Sequence, residues 1–425
     1  MLRSLYSGIS GLHAHQMMMD VTGNNIANVN TVGYKASSVQ FQDTLSQMVG
    51  AAGSPQDGMA GTNPAQVGLG VRNAGITSNF SQGSAQTTGK AGDMMIQGDG
   101  FFITRRGQEE LYTRAGSFFF DANGTLSTAT GEPVQGWTAD EKGVVNPAGK
   151  PDDIKMPLGQ SIDPKPTDKI EMKGNLTFDV PEGVTDVSTL DPIEIPFKAF
   201  DKFGTPVSLS AYFKRTTEAG EDPGKYEVSV GVSGNSATAK PMTENGGVLE
   251  FTAGKLADTA KTLSFSGLSD LNSNLNDELT VDGADLTMFH GLTEARVSDS
   301  NGNAAGTLAS LSYTVSDTGQ IIGAFSNGQK KVLGQVALAT FKNVNGLEKT
   351  GDSMYRSTVN SGLAQVGTPT SSGLGQVISG AVEMSNVDLA QEFTNLVIAQ
   401  RGFQANSRVI TTSDELLQEL VSMKR

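Results

Sequence analysis

The sequence predicts a mixed, mainly β protein: nested β domains, with N- and C-terminal α-helices that pair as a coiled coil. Three observations lead there. Apolar side chains recur at helical spacing at both ends of the chain, and runs with two-residue alternation fill the middle. Gly supplies 51 of the 425 residues while aromatics make up 6%, a composition of turns and short strands rather than of large helical cores.

At the N-terminus, Leu2, Leu5, Ile9, Leu12, Gln16, Met19, Gly23 and Ile26 follow steps of three and four. This stripe predicts one helix. Its end is placed between Thr22 and Asn28, where Asn24, Asn25, Asn28, Asn30 and Gly33 tolerate the left-handed backbone that closes helices. At the C-terminus, Leu389, Leu396, Phe403, Ile410 and Leu417 are spaced by seven, flanked by Phe393, Gln400, Ser407, Asp414 and Val421. Ser385 with Asp388 three residues later reads as a capping box that starts this helix. Either stripe alone fits an amphipathic helix lying on a globular core. Two stripes at opposite ends of a turn-rich chain favour pairing with each other.

Between the helices, residues 36–75 read as a polar connector, flexible at Gly50 to Pro55 and Gly58 to Gly61. The run Ser117 to Phe120, the turn Asp121-Ala122-Asn123-Gly124 and Thr125-Leu126 give hairpin punctuation. Prolines at 151, 157, 164 and 166 mark a boundary, after which alternation resumes: Ile193, Ile195, Phe197; Val207, Leu209, Ala211, Phe213; Tyr226, Val228, Val230, Val232. The run 332–341 brings the chain back to the first β domain. The expected division is residues 1–35 with 376–425 as a helical domain, 36–75 as connector, 76–166 with 291–375 as an inner β domain, and 167–290 as an outer one.

Composition restricts function. A net charge of −14, concentrated between residues 131 and 380, disfavours nucleic acid, because phosphate neutralisation needs clustered Lys and Arg. No stretch approaches the roughly 18 apolar residues of a spanning helix, so no membrane insertion is expected. His13, His15 and Asp20 interrupt what would have to be the apolar core of a signal peptide, which points to the cytoplasm or to export without one. With no Cys there is no disulfide, thiolate metal site or cysteine nucleophile.

Motifs for chemistry fail on inspection. Gly83 to Gly89-Lys90-Ala91 has five residues between its glycines and no hydroxyl after the Lys, unlike a phosphate loop. Asp299, Asn301 and Asn303 alternate as in a calcium loop, but Ala304 and Ser310 stand where the turn Gly and the bidentate carboxylate belong. His13 and His15, two apart on a helix, do not share a face for zinc. No catalytic residue, cofactor or metal is expected, and the chain is not read as an enzyme. A secreted β-domain adhesin would share this composition, and a polysaccharide hydrolase would need a carboxylate pair in a cleft.

The ordered string from Val21 through Asn24, Asn25, Ile26, Asn28, Asn30 and Gly33 to Lys35 resembles the signature of the flagellar rod and hook family of axial proteins. A second stretch, Ser379 to Leu389 continuing through Gln400 to Asn406, is similar to that family's C-terminal pattern, except that the family carries a larger residue where Gly402 stands. Gly98 to Phe102, Tyr112 to Gly116 and Val134 to Trp137 resemble the inner β domain of its hook branch, and Phe200 to Val207 the inserted outer one. A distal rod role is the nearest competitor, set aside because rod members are typically much shorter.

The resemblance implies an extracellular structural subunit of the hook, a self-assembled helical polymer that bends while passing torque from rod to filament. It also implies passage through the flagellar type III export apparatus and contacts with the distal rod protein, the hook cap and the hook–filament junction protein. Lacking Cys, the chain cannot form the lysine cross-link of some spirochaete hooks. The assembly residues expected from the stripes and the signature are Leu2, Leu5, Ile9, Leu12, Met19, Asn24, Asn25, Ile26, Asn28, Leu389, Phe393, Leu396, Phe403, Ile410 and Leu417. Asn24, Asn25 and Asn28 close the first helix.

Overall fold

The computed structural model describes residues 2–54, 60–140, 142–157, 161–177, 179, 190–216, 224–236, 239–241, 248–257, 261–266, 268–270 and 272–423. Strands hold 46% of the chain and helices 17%, and the two long helices lie at its ends, so the mainly β expectation holds. Two compact units form. The first comprises Met1–Leu158, Tyr313–Gly323 and Lys331–Arg425; the second comprises Gly159–Ser312 and Ala324–Lys330. The helical ends and most of the expected inner β domain therefore fall in one unit, and residues 159–166, 291–312 and 324–330 of that expected domain fall in the other.

In the first unit, helix α1 (Leu2–Ala27) and helix α2 (Leu389–Ser422) lie against each other. Asp388, expected to complete a capping box begun by Ser385, is instead the N-cap itself. Its carboxylate accepts from the backbone N–H of Ala390 at 2.9 Å and of Gln391 at 3.3 Å, so Ser385 lies outside the helix. The segment expected to be a polar connector contains four strands. Ser37–Asp43 pairs antiparallel with Val71–Ser78, and Ser46–Gly50 with Ala65–Gly68; residues 55–59 of it lie outside the described residues.

The β body of this unit contains a six-stranded sheet in the spatial order Glu348–Gly351, Met354–Arg356, Glu109–Thr113, Phe101–Arg106, Leu338–Thr340 and Gln365–Gly367. Side chains alternate across its faces, and both faces are covered. Phe101, Ile103 and Ala339 enter one buried cluster with Tyr112, Trp137 and Phe341; Phe102 and Leu338 enter another with Met94, Ile96, Phe118 and Val336. This double coverage gives these strands near-continuous apolar runs.

The second unit is built on a long sheet in the order Ile193–Phe200, Pro206–Arg215, Gly224–Val232, Val248–Thr252, Lys255–Leu256, Glu278–Phe289, Lys169–Thr177 and Arg296–Ser300. Its alternating residues behave as the pattern requires: Ile195, Phe197, Leu209, Ala211, Phe213, Tyr226, Val228 and Val230 are all core, while Val232 at a strand end is 40% exposed. Lys169–Thr177 and Glu278–Phe289 pair in parallel, which makes a crossover rather than a hairpin.

One acidic side chain in the first unit has a marked titration. Burial works against ionisation of Glu132, but the hydroxyls of Thr128 and Thr130 and the Arg106 guanidinium, 2.6 Å away, outweigh it and hold the carboxyl at about 2. A depressed carboxylate stabilises the fold above its ordinary pKa of 4.5, and that contribution disappears as pH falls toward 2. Glu132→Gln is therefore expected to lower the melting temperature at neutral pH. In calorimetric scans against pH, the gap between variant and parent should close between pH 4.5 and 2.

Candidate assembly site: the terminal helices and their junction

The two helices run antiparallel, and small residues set how close they come. A Cβ added to Gly8 would lie 3.3 Å from Ile410 Cγ1, and one added to Gly11 would lie 2.7 Å from Asn406 Oδ1. One added to Gly402 would lie 2.5 Å from the His15 ring. Further along, Asn25 Nδ2 donates to Glu392 Oε1 at 3.1 Å. The seam of α1 is thus Gly8, Gly11, His15, Met18, Thr22 and Asn25, stepping by three and four. That of α2 is Glu392, Leu396, Ala399, Phe403, Asn406, Ile410, Ser413 and Leu417.

The expected α1 stripe is displaced from this seam by one residue, about 100° around the helix. Ile9 is 43% exposed, and Leu5, Leu12, Met19 and Ile26 are half-buried on the flank; the Leu2 side chain is outside the described residues. The assignment of Ile9 to pairing within the chain is corrected accordingly, and the expectation for the Leu2 side chain lies outside the described residues. On α2 the seven-residue series is half of the seam. Leu396, Phe403, Ile410 and Leu417 are half-buried, whereas Leu389 and Phe393 face outward. The missed half, Ala399, Asn406 and Ser413 with Glu392, is small or polar, so a search for apolar stripes passes over it. What could have found it is the glycines: Gly8 and Gly11 three apart on one helix and Gly402 on the other. Gly402, where the resemblance leads one to expect a larger residue, is the socket for the His15 imidazole.

The Asn-rich signature is a junction. Asn25 is 1% exposed; its carboxamide donates to the Ser37 carbonyl at 2.7 Å and accepts from the Ser37 N–H at 3.0 Å and the Tyr34 hydroxyl at 3.1 Å. One side chain thereby fixes the chain leaving α1 to both helices. Asn28 donates to the carbonyl and side-chain oxygens of Asn24, each at 2.9 Å, closing the last turn. Gly33 has φ +67°, and a Cβ there would meet the Ala115 N at 2.4 Å, so no other residue fits without displacing the β body.

Beneath this junction lies a buried charge cluster that pattern reading did not single out. Lys35 Nζ is 2.6 Å from Glu383 Oε1, and both side chains are fully inaccessible to solvent. Lys35 also donates to the Ser81 carbonyl at 2.8 Å, the Gly83 N–H donates to the same Glu383 oxygen at 2.8 Å, and Arg114 Nη1 stands 3.5 Å from Glu383 Oε2. Burial pushes Lys35 below its ordinary range, against the opposing pull of Glu383, and lowers Arg114 in the same way. Asn386 completes the clamp, accepting from the Ala36 N–H at 2.8 Å and donating to the Asn79 carbonyl at 2.8 Å. The exit from α1, the approach to α2 and the β body are tied at one point.

Outside the seam both helices expose large apolar side chains among polar ones. Tyr6 and Val421 are each 69% exposed, and Ile9, Phe393, Val397, Ile398 and Leu416 also face solvent. A helix pair with its seam filled and these side chains still in water offers a surface suited to burial against further protein. Among the described residues, no group of three or more His, Asp or Glu could hold a metal ion.

Models of the flagellar axial protein family match four stretches of the chain, including both ends. The Flagella basal body rod protein model covers residues 5–35, the Flagellar hook protein FlgE/F/G D1 domain 95–189, the Flagellar basal body protein FlaE D2 domain 185–334, and the Flagellar basal body rod FlgEFG protein C-terminal model 378–423. Among full-length relatives, the flagellar hook protein FlgE of Borreliella burgdorferi is 38% identical over all of both chains, and that of Salmonella typhimurium 31% identical over 99% of this chain and all of its own. The chain belongs to the flagellar hook protein family. A basal-body rod protein FlgG of Bacillus subtilis is also similar, 29% identical over the whole of both chains, so length alone does not separate hook from rod.

Two substitutions test the geometry. Glu383→Ala leaves Lys35 and Arg114 buried without their carboxylate and should cost about 3–5 kcal/mol in denaturant unfolding of the purified chain. Gly402→Ala should destabilise the helix pair by forcing the His15 ring aside. His15→Ala added to it should recover part of that loss, so a double-mutant cycle followed by helical circular dichroism should be non-additive.

Proposed function

We propose that the chain is a structural subunit of the bacterial flagellar hook, polymerising through α1 and α2 into a flexible tube that transmits torque from rod to filament. The observation that carries this reading is the outer face of the helix pair. Fully burying an exposed side chain such as Phe393 or Ile398 is worth about 1.5–3 kcal/mol, and a single chain leaves a row of them in water. Hook relatives that align from end to end with this chain support the same reading. The chain works by assembly and not by catalysis, outside the cell, in the hook.

In this reading the expected residues divide by role. Leu396, Phe403, Ile410 and Leu417 hold the two helices of one subunit together. Leu5, Ile9, Leu12, Met19 and Ile26, with Leu389 and Phe393, meet neighbouring subunits, and Asn24, Asn25 and Asn28 fix the angle at which the helices leave the body. Within the first unit the division serves as layers, with the helical ends innermost and the segment 36–75 and the inner β domain around them. Its partners are further copies of itself, the distal rod protein, the hook cap, the hook–filament junction protein and the type III export apparatus. Bending requires contacts that slide in the outer layers while the inner geometry persists.

Phe393→Asp tests the reading. The position is 53% exposed, so thermal unfolding of the purified subunit should hardly change. In a polymer the charge would be buried unpaired in every subunit, and tubes should be absent from electron micrographs of extracted cell-surface structures. Normal tubes from this variant would refute assembly through the helix faces.

A further inference from the structure

The first unit carries two further features, a prong on its β body and a cleft where that body meets the junction. The first is a rigid apolar prong. Val359 is 104% exposed and Leu363 91% exposed, yet the loop that bears them is tightly held. Ser361, at its centre, is 1% exposed; its N–H donates to the Thr358 carbonyl at 3.2 Å, and its hydroxyl accepts from the Thr358 N–H at 2.9 Å. Thr358 Oγ1 donates to the Gly346 carbonyl at 2.6 Å, and Asn343 Nδ2 donates to the Asn360 carbonyl at 3.1 Å. A Cβ on Gly346 would lie 2.7 Å from the Ser361 N, so the loop sits directly on the 344–346 turn. Two aliphatic side chains are therefore held out in water by a loop that cannot fold them back.

The second feature is a cleft of about 290 Å³ lined by Tyr34, Met354, Tyr355 and Lys349 together with Asn24 and Asn28. That is roughly ten times the ~30 Å³ share of one water, room for a Leu and a Val side chain together. Charges near it already have partners. Lys349 Nζ lies 5.1 Å from the Tyr34 ring centroid and donates to Ser37 Oγ at 2.8 Å, and the Asp352 carboxylate is 3.2 Å from Arg106. The cleft takes its residues from the tip of the hairpin formed by Glu348–Gly351 and Met354–Arg356, whereas the prong begins just past the other end of that hairpin.

We propose that the prong of one subunit, Val359 and Leu363, seats in the Tyr34–Tyr355 cleft of a second copy of this chain. Prong and cleft are different patches at opposite ends of one rigid hairpin, so the contact is head to tail. A head-to-tail contact repeats from copy to copy and builds an open helical array instead of a closed dimer. It would add a directional contact between β bodies to the helix packing, and it rests on the reading of the chain as a polymer subunit.

The chain has no Cys, which makes cross-linking a clean test. Leu363→Cys and Asn24→Cys place thiols at two exposed positions, one on the prong and one at the cleft. In polymer sheared from cells, the double variant under oxidation should give a ladder of dimers, trimers and higher species on a non-reducing gel, and each single variant should give none. Polymer without a ladder would overturn the contact, and so would disulfide-linked dimers from Leu363→Cys alone, since like would then face like. Val359→Asp with Leu363→Asp should raise the concentration needed for polymerisation at least about tenfold while leaving the melting temperature unchanged; an unaltered threshold would also overturn it. If the parent chain forms no polymer, the hook reading fails first, and the contact with it.

Discussion

The buried Lys35–Glu383–Arg114 cluster is the constraint on which the rest of the first unit depends. Lys35 follows the first helix, Glu383 precedes the second, and Arg114 belongs to the β body, so one set of charges joins three distant stretches of chain. Fully buried ions are costly to desolvate, and the arrangement is tolerable only while every member is in place. That makes it a poor source of net stability and a strong source of position. Shifting any one strand or helix end strands a charge in the interior.

Position matters because the helices project from this point. Asn25 and Gly33 complete what the ion cluster begins: the first bonds the departing backbone to α2, and the second lets the chain pass Ala115 at a distance no side chain would allow. Small changes in angle at the junction are magnified along α2, which at 34 residues and 1.5 Å per residue is roughly 50 Å long. A subunit whose polymer must bend yet keep its inner geometry needs its stiffness at such a hinge. The glycine-lined seam serves the same end. With Gly8 and Gly11 against Ile410 and Asn406, and His15 against Gly402, the helices approach closely through complementary shapes, leaving larger apolar side chains free to face outward.

Much of this was legible in the residues. The helices at both ends, the end of α1 at Ala27 within the expected interval, the alternating strands from Ile193 to Val230, and the family signature all follow from local periodicity and turn chemistry, which act over a few residues. The position of Asp388 as the cap was one turn away from the expected capping box, because a sequence allows two readings of the same polar residues and only the backbone chooses. The strands within 36–78 were hidden for a related reason: they are short and mostly exposed, so alternation as brief as Val39-Gln40-Phe41-Gln42 does not stand out from a polar connector.

The sequence by itself determined the two terminal helices, the alternating strands from Ile193 to Val230, and that the chain belongs among the axial proteins, since those depend on the order of neighbouring residues. Tertiary structure alone decided which face of α1 meets α2 and which charges are buried. A stripe of Leu and Ile shows that a face is apolar but not what covers it, and on α1 the closest contact went to the glycines one position away. The pairing of Lys35 with Glu383, 348 residues apart, leaves no periodic trace in either segment. It exists because the fold brings the two ends of the chain to the same buried point, where a lone charge could not remain.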